Sequence, residues 1–273
     1  MLNIISELNK NTTVNDLYTH DGVCAWFIEK AFLKLGVNLN RVNISAKPPS
    51  TEYTLIVASG LLTKLQKSEE YRKELRQSAR VVSSYTVSDL IETRGVDITF
   101  VQVKPDSKDA ICVGWGADEE YCYPEKKDNA VFIDSYLTNK KITHDLRKTY
   151  LRVLEKLGLN HLQPTMNYGE KRIPWPEYQS LLRRSRFFLQ TQFGDYGGMN
   201  MWEASRCGVM MVLSHYIYWP RTFEGIEHKI WRNEDELIHI LSENTDPQEI
   251  SQKASVNTWE KVAAKMLVKL EEW

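Results

Sequence analysis

Residues 186–214 constrain the fold more than any other stretch. Residues 186–191 (RFFLQT) read as a buried strand, and a loop carrying Gly197 and Gly198 follows. Residues 200–207 then have helical spacing, Gly208 stops that helix, and residues 209–214 (VMMVLS) form a second apolar strand. Strand, loop, helix and strand in this order make a crossover between parallel strands. Such units build α/β sheets whose faces are covered by helices.

The rest of the chain alternates in the same way. Cys24, Ile28, Ala31, Phe32 and Leu35 recur at helical spacing over residues 23–35, with Gly36 as the stop. Residues 53–59 (YTLIVAS) are a continuous apolar run, as in a strand buried on both faces. Residues 64–78 read as a highly charged helix, and residues 80–85, 97–103 and 110–114 as short strands. A Gly- and Pro-punctuated stretch at 114–128 suggests a domain boundary, so the expected division is 1–127, 128–255 and a tail at 256–273. In the second part a strand is expected at 130–134, a helix at 142–157, a strand within 162–168 and a helix from 174 through Arg184. The tail is strongly amphipathic: Trp259, Val262, Ala263, Met266, Leu267, Leu270 and Trp273 line one side and need a docking surface.

A chain of 273 residues with 42% hydrophobic and 26% charged residues supports one large or two modest folded domains, not disorder. Lys+Arg 35 against Asp+Glu 36 gives no whole-protein attraction to DNA or an anionic membrane. No apolar run approaches the roughly 18 residues of a membrane span. The N-terminus has no charged region followed by an apolar one, so a cytoplasmic protein is expected. Cys24, Cys112, Cys122 and Cys207 are scattered without a CxxC pair, which reads as reduced thiols and no bound metal.

Chemistry concentrates in residues 190–208 (QTQFGDYGGMNMWEASRCG). In open α/β sheets ligands bind beyond the carboxyl ends of strands. Glycines there let backbone N–H groups approach an anion, and a helix N-terminus favours negative charge. Asp195 and Glu203 add carboxylates, which accept hydrogen bonds from hydroxyl-rich ligands. The plainer alternative makes Asp195 a turn cap and Glu203 a solvated helix residue.

This segment resembles the donor site of GT-B glycosyltransferases of the retaining type. Their acid-x7-Glu motif matches Asp195 to Glu203, and their Glu-Ala-x3-Gly-x3-Val signature matches Glu203 to Val212. Three further stretches match: 114–124 resembles the interdomain segment, 173–185 the loop and helix that frame the base, and 258–267 the helix that crosses back to the first domain. The likeness covers about 111–273. It implies two Rossmann-like domains. It also implies Asp195, Gly197, Gly198, Met199 and Asn200 near the donor sugar and phosphates, Ile173 in the base loop, and Glu203 on the ribose. Asp195 stands where Glu is commoner, one methylene shorter. The family's arginine after the first strand of the second domain is missing, leaving Lys140, Lys141 or Arg172 to face the diphosphate as point charges. The first domain lacks the usual glycine-rich loop and is short.

The expected function is transfer of a sugar from a nucleoside-diphosphate sugar to a hydroxyl acceptor, with retention and without a metal. The nucleotide sugar serves as co-substrate and there is no other cofactor. His20, beside Asp21 at a helix start, is the candidate for an acceptor base; a cap or surface role is the alternative. The acceptor is expected to be a saccharide or small molecule. DNA is a second candidate, through a loose similarity to phage enzymes that glucosylate modified bases and through the basic residues of helix 64–80. A non-catalytic sugar-nucleotide-binding protein on the same scaffold is the third reading.

Overall fold

The structure is a computed structural model and describes residues 1–57, 68–86, 95–102, 105, 108–128, 130–133, 141–163, 173–191, 199–218, 223, 225–254 and 257–273. It divides into two compact units, Met1–Gly116 with Asn257–Trp273, and Ala117–Val256.

The first unit holds a six-stranded sheet of β1 (Leu2–Ser6), β2 (Leu39–Asn43), β3 (Thr51–Ile56), β4 (Ala79–Thr86), β5 (Ile98–Val101) and β6 (Ala110–Cys112). Their order is β2-β1-β3-β4-β5-β6, and every pairing is parallel. All five residues of β1 are buried. The hydrophobic pattern alone did not mark this strand, because Asn3 and Ser6 interrupt it. Both are accommodated by hydrogen bonds: Asn3 Nδ2 donates to the Pro49 carbonyl at 2.8 Å, and Ser6 Oγ accepts from Leu8 N at 3.2 Å. After β1 the chain forms α1 (His20–Lys34), capped by Thr19, whose Oγ1 accepts from Gly22 N at 3.0 Å. The helix expected from residue 64 is described as α2 (Glu69–Ser78), capped by Ser68; residues 58–67 lie outside the described residues.

The chain leaves this unit through β7 (Gly116–Ala117). The second unit holds a five-stranded parallel sheet of β8 (Val131–Ile133), β9 (His161–Leu162), β10 (Phe187–Leu189), β11 (Met210–Ser214) and β12 (His228–Trp231), ordered β12-β11-β10-β8-β9. Its helices are α3 (Lys141–Leu157), α4 (Trp175–Arg184), α5 (Met199–Arg206), α6 (Glu234–Ser242) and α7 (Pro247–Lys253). Here α3 packs on α6, whereas α4 packs on α5 and α5 on α7. Strand order runs one way from β8 to β9 and then reverses to β10. With right-handed crossovers this reversal sets α3 and α6 on one face and α4, α5 and α7 on the other.

Residues 117–127 belong to this unit for a visible reason. Lys127 Nζ donates to the Arg183 carbonyl at 2.7 Å and to the Cys207 carbonyl at 2.6 Å, tying the segment to the ends of α4 and α5. Burial lowers the Lys127 pKa to about 8.

The chain returns through β13 (Asn257–Thr258) to α8 (Trp259–Glu271), which belongs to the first unit. Trp259, Val262, Ala263, Met266 and Leu270 are buried, and Trp259 stacks on Phe27 with centroids 6.2 Å apart. This packing explains why α1 is apolar nearly all round: Val23, Cys24, Phe27, Ile28, Ala31 and Phe32 are each buried, with the sheet on one side and α8 against the helix.

The stop after α5 shows why glycine stands at 208. Val209 N donates to the Ala204 carbonyl at 2.9 Å and Gly208 N to the Ser205 carbonyl at 3.0 Å, a Schellman closure with Gly208 at φ +72°. A Cβ there would lie 2.2 Å from the Pro247 carbonyl oxygen, whereas at Gly36, also at positive φ (+78°), it would meet nothing within 4 Å. Gly36→Ala is therefore expected to cost about 1 kcal/mol of backbone strain, and Gly208→Ala about 3 kcal/mol or more, since the backbone of α7 must move as well. Chemical denaturation of the two variants tests this ranking.

Candidate functional site

In each sheet the reversal of strand order leaves a crevice at the carboxyl ends of two strands, the place where open α/β sheets bind ligands. In the second unit it lies between β8 and β10. The helix that follows β8 begins at Lys141, and the helix that follows β10 begins at Met199. Asp195, Gly197, Gly198, Lys140 and Arg172 lie outside the described residues. Of Met199 only the backbone is described, as the first residue of α5. Lys141 is exposed and Asn200 half-buried.

Glu203 sits in the middle of α5 and is only 3% exposed, so the solvated-helix alternative does not hold. Its Oε1 accepts a 2.9 Å hydrogen bond from Trp175 Nε1. Trp175 opens α4, where Pro174 is the N-cap and Pro176 occupies the first turn, a place where a missing N–H costs little. The indole is buried and packs against Tyr121, with centroids 4.9 Å apart. Ile173, half-buried, immediately precedes this turn. The base-loop and motif-helix segments singled out in the sequence are thus joined by one hydrogen bond.

Burial pushes the Glu203 carboxyl up to about 7, while Trp175 and the Gln179 side chain pull it down toward the charged form. Gln179 is itself fully buried. Its Oε1 faces two thiols, Cys122 Sγ at 3.6 Å and Cys207 Sγ at 3.9 Å, and its Nε2 makes no hydrogen bond of good geometry among the described residues. Gln179 therefore helps the carboxylate through its dipole more than through a bond. The neighbouring thiol of Cys207 and burial hold the Cys122 thiol protonated, its pKa well above the ordinary value. The crevice has a second polar feature that the sequence did not flag: Gln190, next after β10, is buried with its Oε1 unpartnered among the described residues.

In the first unit the reversal lies between β1 and β3. His20 is the first residue of α1 and so starts beside that crevice; its side chain lies outside the description. The sequence missed a neighbour. Glu7, directly after β1, has its pKa raised by partial desolvation and by the charge of Asp21, against a hydrogen bond from the Gly22 N–H. A Cβ on Gly22 would lie 2.7 Å from Glu7 Oε1, so glycine is needed for this approach. The signal was position alone: an acid at the end of the first strand.

Of the basic residues considered for DNA, three are answered by acids, and Lys64 and Lys67 lie outside the described residues. Lys73 pairs with Glu69 at 3.6 Å, Arg80 with Glu52 at 3.7 Å, and Arg76 with Asp97. Among the described residues no three His, Cys, Asp or Glu side chains gather as a metal site, and no helix is long and apolar enough to cross a membrane. The four cysteines are free thiols, with Cys112 exposed.

The expected pH response of Glu203 has a definite sign. Its folded pKa lies above the ordinary 4.5, so its contribution to stability is fully present below 4.5 and is lost as pH rises through about 7. The loss amounts to about 3 kcal/mol by pH 8. Glu203→Gln should flatten the stability profile between pH 5 and 8 and raise the midpoint at pH 8. Identical profiles for the two proteins would contradict the burial described.

No protein-family model and no curated protein matches the sequence. Solved structures do match along the whole chain. A glycosyltransferase involved in avilamycin A biosynthesis is 11% identical with a TM-score of 0.55, covering 99% of this chain and 97% of its own. A lipopolysaccharide outer core galactosyltransferase is 11% identical with a TM-score of 0.52 and 99% coverage of both chains. A UDP-GlcNAc 2-epimerase from Methanocaldococcus jannaschii, in complex with UDP-GlcNAc and UDP, is 11% identical with a TM-score of 0.55, covering 100% of this chain and 99% of its own. Two parallel Rossmann-like sheets and this full-length likeness give the chain the GT-B fold shared by glycosyltransferases and related epimerases.

Proposed function

We propose that the protein is a glycosyltransferase that moves a sugar from a UDP-sugar to a hydroxyl acceptor, bound in its second unit at the carboxyl ends of β8 and β10. The observation that carries this reading is Glu203. A carboxyl buried in mid-helix costs stability when it ionises, and such a cost is retained where the group has work to do. A carboxylate accepts up to about four hydrogen bonds, and Trp175 uses one. Vicinal ribose hydroxyls suit the remainder. Several solved structures with this fold contain UDP, which favours that nucleotide over others.

The remaining roles follow from the motif. Asp195, with Gly197, Gly198, Met199 and Asn200, would hold the donor sugar and diphosphate at the start of α5, and Ile173 would border the base. In glycosyl transfer the sugar passes through an oxocarbenium-like state while negative charge grows on the leaving diphosphate. The N-terminus of α5, the loop amides and a lysine, Lys140 or Lys141, would take up that charge without a metal, and Arg172 is the reserve cation. Retention of configuration follows from the likeness of the acid-x7-Glu motif. His20 and Glu7 stand at the first unit's crevice, where an acceptor hydroxyl would need an acid or base. A saccharide or small-molecule acceptor is favoured over DNA because Lys73, Arg76 and Arg80 already have acidic partners.

UDP and UDP-glucose should raise the melting temperature of the wild-type protein, and the protein should release UDP in the presence of acceptor. Glu203→Gln should fold at least as well yet bind UDP some 10- to 100-fold more weakly, the worth of a charged hydrogen bond. Equal ligand-induced shifts in both proteins would remove Glu203 from the site. Conversion of the donor to its epimer without UDP release would replace transfer with epimerisation.

A further inference from the structure

A cavity of about 590 Å³ opens between α3 and α6, on the face of the second sheet opposite the helices that carry Trp175 and Glu203. Its apolar lining comes from Ile142, Leu146 and Trp231. Leu146 and Trp231 are 4% and 5% exposed. Trp231 has its polar atom engaged already, since Nε1 donates to Tyr150 Oη at 3.4 Å, so the cavity meets the ring and not the N–H. Tyr216, two residues after the end of β11, lines the same cavity and is 62% exposed, an unusual cost for so large a ring. It is braced from behind by His215, with ring centroids 3.8 Å apart.

The polar groups of the lining sort into committed and uncommitted ones. Glu234 is held by Arg152 and by Lys156 at 3.3 Å, and Asn233 caps α6. Asp145 and Thr149, one turn apart on α3, carry no side-chain hydrogen bond or ion pair among the described residues. Lys141 lies one turn before Asp145 on the same helix. A free acceptor, a hydroxyl and an ammonium group in a row, set over an apolar floor and beside a braced aromatic ring, suit a molecule with one apolar face and many hydroxyls. The two acids in the lining offset Lys141 and the helix N-termini, so neither an anion nor a cation is singled out. The volume falls in the range of about 300–1,000 Å³ typical of small-molecule sites.

We propose that this cavity is a second binding site, for a neutral saccharide of two or three rings, with Tyr216 as the stacking platform and Asp145 and Thr149 as hydrogen-bonding partners. The site adjoins the donor crevice, since Lys141 borders both, but Tyr216, Asp145 and Thr149 have no part in the donor assignment, and binding is read without turnover.

The test is saturation-transfer NMR and calorimetric titration of the full chain with maltotriose and chitotriose, each with and without saturating UDP. At least one trisaccharide should bind with UDP present. Tyr216→Ala and Asp145→Ala should each weaken it about tenfold or more, while Glu155→Ala, an exposed residue elsewhere on α3, should not. All three positions are exposed, so folding should survive, and unchanged thermal melting would confirm it. No binding of either sugar, binding abolished by UDP, or binding indifferent to Tyr216→Ala and Asp145→Ala would each overturn the proposal. Displacement of the sugar by inorganic phosphate would also overturn it, by making the site an anion site.

Discussion

The hydrogen bond from Trp175 to Glu203 is the point on which the second unit turns. It joins the first residue of α4 to the middle of α5, and those helices carry the two segments that frame the crevice beyond β8 and β10. The bond also determines the state of the carboxyl. Without the indole, only Gln179 would oppose burial, and the group would stay neutral over a still wider range. With it, the carboxyl is poised to ionise near neutral pH and to accept hydrogen bonds from a ligand. Packing reinforces the arrangement from behind, through buried Gln179 and the thiols of Cys122 and Cys207.

The same segment explains why its signature reads as it does. Ala204 is fully buried, and its carbonyl closes the Schellman turn. Gly208 has a left-handed backbone pressed against Pro247. Val212 is buried in β11 and pairs with Leu189 in β10. Each position has a packing or backbone reason to be what it is, except Glu203. The carboxyl gives no packing advantage that an apolar side chain of similar size would not exceed, and this contrast is what makes it the best candidate for a ligand contact.

Much of the architecture was readable from periodicity. The crossover at 186–214, the helix ending at Gly158 and the amphipathic tail each had a strong local pattern, and the structure has β10, α5, β11, α3 and α8 there. What escaped was short or polar. β1 is central to its sheet yet carries Asn3, whose partner Pro49 lies far along the chain, and Ser6, which accepts from Leu8 just beyond the strand. β12, α6 and α7 follow one another between Ser214 and Lys253, where capping residues Asn233 and Asp246 were the signal to use. The interdomain stretch was recognisable by its glycines and prolines, but its side chains decide which unit it joins: Lys127 reaches two helix-end carbonyls that no sequence window contains. Of the candidate site, the sequence pointed to Glu203 and to the Ile173–Trp175 region. It could not show that they meet, nor that the carboxyl is buried, because both facts depend on how α4 and α5 pack.

The central claim is that Glu203 becomes an ionised acceptor when a nucleotide sugar binds. Calorimetric titration with UDP-glucose, repeated at pH 6 in buffers of different ionisation enthalpy, measures this directly, since that ligand has no group titrating near neutrality. Release of a large fraction of one proton per ligand bound at pH 6, fading above pH 8 and absent in Glu203→Gln, is the result the account predicts. Binding with no proton release at pH 6, or with the same release in the variant, would contradict it.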